Sequence, residues 1–106
     1  MEISFSTKEL RDQCADEVYA AKTLAPGVAD ALKRRVSDLC AADSIGDVLA
    51  GRPRPGIHQG EHCYFIELGD SHRLTVIPSH DVPRLMPDGS ADWSRIRRVK
   101  VVSLNP

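Results

Sequence analysis

Apolar and polar positions along the chain fall into a short list of elements. Glu2 to Ser6 alternates, with Ile3 and Phe5 on one side and Glu2 and Ser4 on the other, which predicts a first β-strand. Ser6-Thr7-Lys8-Glu9 fits a capping box, in which a hydroxyl and a carboxylate satisfy the free N–H groups of a helix start. Leu10, Cys14, Val18 and Ala21 then form the apolar stripe of one amphipathic helix running to about Leu24. Pro26 opens a second helix, where its missing N–H costs nothing, and Val28, Leu32, Val36, Leu39 and Cys40 give the buried face. So short a connection predicts an antiparallel helical hairpin. Asp43 or Ser44 can cap a short third helical segment through Leu49, stopped by Gly51.

The period then changes from helical to extended. Arg52-Pro53-Arg54-Pro55-Gly56 reads as an extended loop. His62 to Leu68 and Arg73 to Ile77 are rich in aromatic and β-branched residues and predict two strands, with Gly69-Asp70-Ser71 as their turn and Pro78 as the stop. His80 to Asp92, with Pro83, Pro87 and Asp88-Gly89, reads as turn and loop ending in Trp93, the only tryptophan, which should plug the rim of the core. Arg97 to Leu104 predicts the last strand, Val99 and Val101 on one face and Arg98, Lys100 and Val102 on the other. The fold class is therefore α+β: an N-terminal strand, a helical hairpin, then an antiparallel β-meander, with helices on one face and the other face open.

Length places 106 residues in a single domain, 1–106. No apolar run approaches the roughly 20 residues of a membrane span, and the N-terminus lacks the basic and apolar regions of a signal peptide, so a cytoplasmic protein is expected. Cys14, Cys40 and Cys63 are widely spaced, without a CxxC pair, and read as buried, reduced thiols. The net charge of −1 hides an asymmetry: residues 1–50 carry six Lys/Arg against nine Asp/Glu, and residues 51–106 eight against six. The basic residues of the second half are nearly all arginine, the side chain suited to bidentate phosphate recognition. Any nucleic-acid contact must then be local, because the whole chain creates no strongly basic field.

Chemistry-bearing groups collect around the strand pair. Every histidine (His58, His62, His72 and His80) lies in it or at its edges, beside Arg73. Histidine alone titrates unperturbed near neutrality, which makes His58 and His62 candidates for a general base or acid. Arg52 and Arg54 are candidate phosphate clamps, with His80 and Lys100 as further substrate contacts. Lys33-Arg34-Arg35 reads either as a solvated helix face or as a phosphate contact. His58-Gln59-Gly60-Glu61-His62 has the i, i+4 spacing of a metal motif, but that spacing shares a face only on a helix, and Gly60 in strand-rich surroundings argues against one. No metal and no cofactor are expected.

Several segments taken together resemble the RelE/ParE superfamily of bacterial type II toxins, and within it the HigB-like plasmid maintenance killer proteins. Met1 to Phe5 with Lys8-Glu9-Leu10-Arg11 looks like the family's opening strand and helix. Leu24 to Ala29 leading into Leu32-Lys33-Arg34-Arg35 looks like its second helix. Gly51-Arg52-Pro53, His58-Gln59-Gly60 and His72-Arg73-Leu74-Thr75-Val76 are similar to its loop and central strand. His80-Asp81-Val82-Pro83 and Asp88-Gly89 through Asp92-Trp93-Ser94 look like a subgroup with a longer insertion. The resemblance implies a ribosome-dependent mRNA endoribonuclease that cuts without metal, by attack of a 2′-OH on its own 3′-phosphate. Arg73 would stabilise the phosphate transition state, and His62 and His58 would serve as base or acid. It also implies a cognate antitoxin, of helix-turn-helix type, that alone contacts operator DNA. Partners would be the ribosome and mRNA, with no membrane. Phe65 and Glu67 stand near positions where the ribonuclease branch carries lysines, and the chain ends in Ser103-Leu104-Asn105-Pro106 without that family's polar Tyr-His pair. These departures motivate a second reading, a toxin-fold binding module that acts by occlusion, or on gyrase as some relatives do.

Overall fold

The computed structural model describes residues 1–69 and 71–105. Five strands, β1 (Glu2–Phe5), β2 (Arg54–His58), β3 (Glu61–Leu68), β4 (His72–Pro78) and β5 (Arg98–Asn105), form one sheet in the order β1-β5-β4-β3-β2. Three helices, α1 (Lys8–Ala15), α2 (Glu17–Thr23) and α3 (Pro26–Ala41), lie between β1 and β2 in the chain. β1 pairs parallel with β5, and all other pairs are antiparallel. The fold is thus α+β, with a strand, helices and then a mostly antiparallel sheet.

Four features differ from the sequence expectation. The first helix is two helices, broken at Asp16. The Asp16 carboxylate accepts from the N–H groups of Val18 and Tyr19, so it starts a new helix while its own N–H closes the old one on Asp12. The start of α1 is capped by Thr7, whose hydroxyl accepts from the Leu10 N–H, one residue beyond the Ser6 expected from the capping box. The third helical segment shrinks to a 3₁₀ turn at Ile45–Asp47, which Ser44 and Asp47 close as a reciprocal cap.

The fourth difference matters most for function. Arg54 to Gly56 is strand, not loop, and it carries the sheet to its outer edge. Proline is tolerated there because an edge strand has one side without ladder bonds. Gln59 and Gly60 both have positive φ, 49° and 82°, as a two-residue primed hairpin turn requires. The turn between β3 and β4 includes Asp70, which lies outside the described residues, as does Pro106.

The core lies between α3 and one face of the sheet. Leu32 and Leu39 of α3 meet Ile66, Leu68, Leu74, Val76, Val99 and Val101, with Ile45, Val48 and Ile96 closing its ends. Trp93 packs against this cluster and meets Tyr64 edge to face, centroids 4.9 Å apart. Strand alternation then fixes the opposite face: with Tyr64, Ile66 and Leu68 inward, Cys63, Phe65 and Glu67 point outward, and with Leu74 and Val76 inward, Arg73 and Thr75 point outward. The helix residues Leu10, Cys14, Leu32 and Leu39 pack on the inward side, in the cluster of Ile66, Leu74, Val76, Val99 and Val101. Cys63 is buried and Cys14 half-buried, but Cys40 is exposed, contrary to the expectation for all three thiols.

Candidate functional site

Register places the outward side chains in rows. Arg54 pairs with Phe65, Phe65 with Thr75 and Thr75 with Ser103. The adjacent row runs from Glu67 to Arg73 to Asn105. Gly56 is why Phe65 can lie flat: a Cβ at Gly56 would come within 2.3 Å of the ring. The ring leans over the edge strand and carries two guanidinium groups, Arg73 at 4.0 Å from its centroid and Arg54 at 5.6 Å. An aromatic face attracts a cation and holds a planar guanidinium parallel to it.

An ion pair between Arg73 and Glu67 is the plain structural alternative for Arg73. Although the two are register partners, the Glu67 carboxylate instead takes Arg54, at 2.8 Å. Arg73 makes no ion pair among the described residues, and it is exposed. Asp70, the other carboxylate near Arg73 in sequence, lies outside the described residues. The carboxylate of Glu67 is thus countered by one arginine, and a second arginine, fixed on Phe65, is left open to an anion. Beneath them Thr75 and Ser103 are buried polar groups and Cys63 is fully buried. Burial pushes the Cys63 thiol up from its ordinary range, with Arg73 pulling the other way. A neutral thiol so covered is a spacer under the arginine, not a nucleophile.

The structure does not gather the histidines around Arg73. His58 stands opposite Glu61, and Arg73 opposite Glu67, so six residues of β3 separate them, about 20 Å at ~3.3 Å per residue. His58 instead lines a small cavity of about 200 Å³ with Glu61, Ile77 and Val102. His62 points to the other face, toward Asp88 in the long loop. His72 also points away from Arg73, its Nδ1 2.9 Å from the Ser71 hydroxyl. Lys100 lies outward but opposite Ile77, in the row of β5 that reaches Ser4. Arg52 is exposed at the end of the edge strand, its carbonyl 3.4 Å from a terminal nitrogen of Arg54. Arg54 and Arg73 therefore come together, Arg52 stands near them, and His58, His62, His80 and Lys100 are elsewhere. Each member of the basic triplet has a carboxylate partner: Lys33 with Glu17, Arg34 with Asp30 and Arg35, through its Nε, with Asp38. Among the described residues no group of three or more His, Cys, Asp or Glu side chains could hold a metal ion, and His58 and His62 flank a hairpin turn.

His80 has a structural partner of its own. The Arg97 N–H donates to its Nε2 at 2.8 Å, which requires the neutral ring. Burial first, then Arg84, Arg98 and Arg97, hold its pKa below the ordinary value, with Asp81 opposing. The folded chain therefore binds fewer protons here than the unfolded chain. The contribution of His80 to stability is complete above about pH 6.5 and is lost as pH falls from there toward the folded value. The urea midpoint should fall between about pH 7.5 and pH 5. His80→Gln, which keeps an acceptor and cannot titrate, should flatten part of that fall. An unchanged slope would assign the acid sensitivity to other groups.

Phe65 is the residue that sequence reasoning missed as a positive contributor. It looked like a departure from a basic strand, and its signal was only its parity with Glu67 and its place opposite an arginine-bearing segment. No protein-family model matches the chain, and neither a curated protein nor a solved structure does.

Proposed function

We propose that this chain is the toxin component of a type II toxin–antitoxin pair, and that the outward sheet face holds mRNA at the ribosome. One observation carries the reading: the exposed Arg73 guanidinium is fixed on the Phe65 ring beside Arg54, with no carboxylate taking it among the described residues. A planar fork held in place and open to solvent suits the two free oxygens of a phosphodiester. In the nuclease form of the proposal a 2′-oxygen attacks the adjacent phosphorus. A new O2′–P bond forms as the 2′-hydroxyl gives its proton to water, the P–O5′ bond breaks as O5′ takes a proton from water, and the products are a cyclic phosphate and a 5′-hydroxyl. Arg73, with Arg54 behind it, offsets the charge that gathers on the phosphoryl oxygens. Such a protein works in the cytoplasm, restrained by a cognate antitoxin that carries the operator-binding helix-turn-helix.

A second reading, occlusion of a partner without cleavage, is favoured by a specific observation. His58 is about 20 Å along the sheet from Arg73, His62 is on the other face, and His80 accepts from the Arg97 N–H. Controlled induction with mapping of mRNA 5′ ends separates the two. New 5′ ends that vanish with Arg73→Ala support cleavage. Translation arrest with intact mRNA supports occlusion. Unimpaired growth on induction of the wild-type chain would remove the toxin reading altogether.

A further inference from the structure

Where α3 meets the approach to β2, the surface holds a cavity of about 450 Å³ walled by Ala31, Arg35, Gly51, Arg52, Glu67 and Gly69. Two arginines from different elements, Arg35 of α3 and Arg52 ahead of β2, line it. Arg35 is a helix side chain drawn inward, only 18% exposed. Gly51 admits it: a Cβ there would stand 3.2 Å from the Arg35 Cδ and 2.6 Å from Ile66. The Arg35 Nε lies 2.9 Å from an Asp38 oxygen, yet it is buried without a hydrogen bond among the described residues. A guanidinium has five donors, and a carboxylate on its inner nitrogen leaves the outer fork unused.

The second arginine is held there by unusual backbone. Arg52 has a φ of 48° and follows Gly51 at 85°. A left-handed residue other than glycine persists where its surroundings impose it, and such residues cluster at ligand sites. Here the Glu67 N–H donates to the Gly51 carbonyl, which pins the corner. The carboxylate of Glu67 could repel an anion, but Arg54 takes it at 2.8 Å. Gly69 also lines the cavity, and a Cβ there would meet nothing within 4 Å.

We infer that this cavity binds a phosphate group, with Arg35 as the buried anchor and Arg52 as the rim contact. Arginine forks match phosphate oxygens in pairs. The phosphate can be the terminal group of a nucleotide or the bridging group of a nucleic-acid strand. Arg73 is not in the cavity wall, so phosphate binding here is tested apart from RNA cleavage.

The test is a titration of the isotopically labelled full chain with inorganic phosphate, against sodium chloride of matched ionic strength, following the amides of Gly51, Arg52 and Gly69. Saturable shifts with phosphate alone are expected. Arg35→Gln should weaken binding by about tenfold or more, and Arg52→Gln by about threefold. Lys22→Gln, an exposed cation on α2 outside the cavity wall, should leave it within about twofold. Because Arg35→Gln alters a packed stem, Arg35→Lys keeps stem and charge while removing the fork, and it should still bind several-fold more weakly. The same spectra report whether each variant is folded. Adenosine monophosphate moving these amides assigns a terminal phosphate, and a dinucleoside monophosphate moving them assigns a bridging one; either supports the site. Shifts that match chloride, or a folded Arg35→Gln that binds like wild type, would overturn it.

Discussion

Gly51→Ala is expected to destabilise the protein by about 2–5 kcal/mol, a large part of what a small domain possesses. Two costs combine. The φ of 85° is left-handed, and a Cβ there costs roughly 1–2 kcal/mol. The new methyl would also stand 2.6 Å from the Ile66 Cγ2 and 3.0 Å from the Glu67 carbonyl oxygen. Ile66 is fully buried and the carbonyl is backbone of a central strand, so neither can retreat cheaply. Forcing a methyl into such packing adds about 1–3 kcal/mol. Gly60 supplies the control: its φ of 82° is nearly the same, but nothing lies within 4 Å of its Cβ position. Gly60→Ala should pay only the conformational part, so the gap between the two urea midpoints isolates the packing. Equal losses would mean that Ile66 moves aside and that the corner is softer than its contacts suggest. The corner matters beyond stability, because it sets the path of Arg52 and Arg54 onto the sheet edge.

Much of this architecture was legible in the chain because burial imposes its period. The β3 and β4 strands end within a residue of where their aromatic and β-branched runs do. Val99 and Val101 share the inward face that alternation assigns them. The break at Asp16 was not legible from periodicity, since the stripe Leu10, Cys14, Val18 continues through it. The break won because a carboxylate that can accept two backbone N–H groups competes with the helix, leaving Val18 64% exposed. β2 was missed because Pro55 and Gly56 argue against a strand wherever both sides are paired, and only the edge position lifts that objection. At the site, parity alone separates His62 from Arg73: His62 shares a face with Tyr64, whereas Arg73 precedes the inward Leu74. The partner of Glu67 was beyond the sequence. Choosing Arg54 over Arg73 depends on a third strand whose existence had not been inferred, and on a ring that offers Arg73 another place to lie.

That competition makes the substitutions at Arg73 and Phe65 the sharpest test of the outward face. If Arg73 offsets charge on a phosphoryl group, Arg73→Ala should lower mRNA cleavage on ribosomes by about 10²–10³-fold, the usual cost of losing one such donor. Its fold should be intact, with unfolding free energy within about 1 kcal/mol of wild type, because the side chain is exposed, takes no ion pair among the described residues and gives up only its contact with the Phe65 ring. Arg73→Lys restores a point charge without the planar fork or its stack on Phe65, and activity should stay at least about tenfold down. Phe65→Leu keeps an apolar cover over Cys63 but removes the ring. The lost cation–π contact is worth about 0.5–1 kcal/mol at an exposed site, so it should cost only several-fold. The order Ala below Lys below Leu is therefore the signature of an arginine that acts on the phosphate while the ring aims it. A lysine variant as active as wild type would reduce Arg73 to a bare charge. Phe65→Leu as severe as Arg73→Ala would move the principal role to the aromatic face, as a platform for a base.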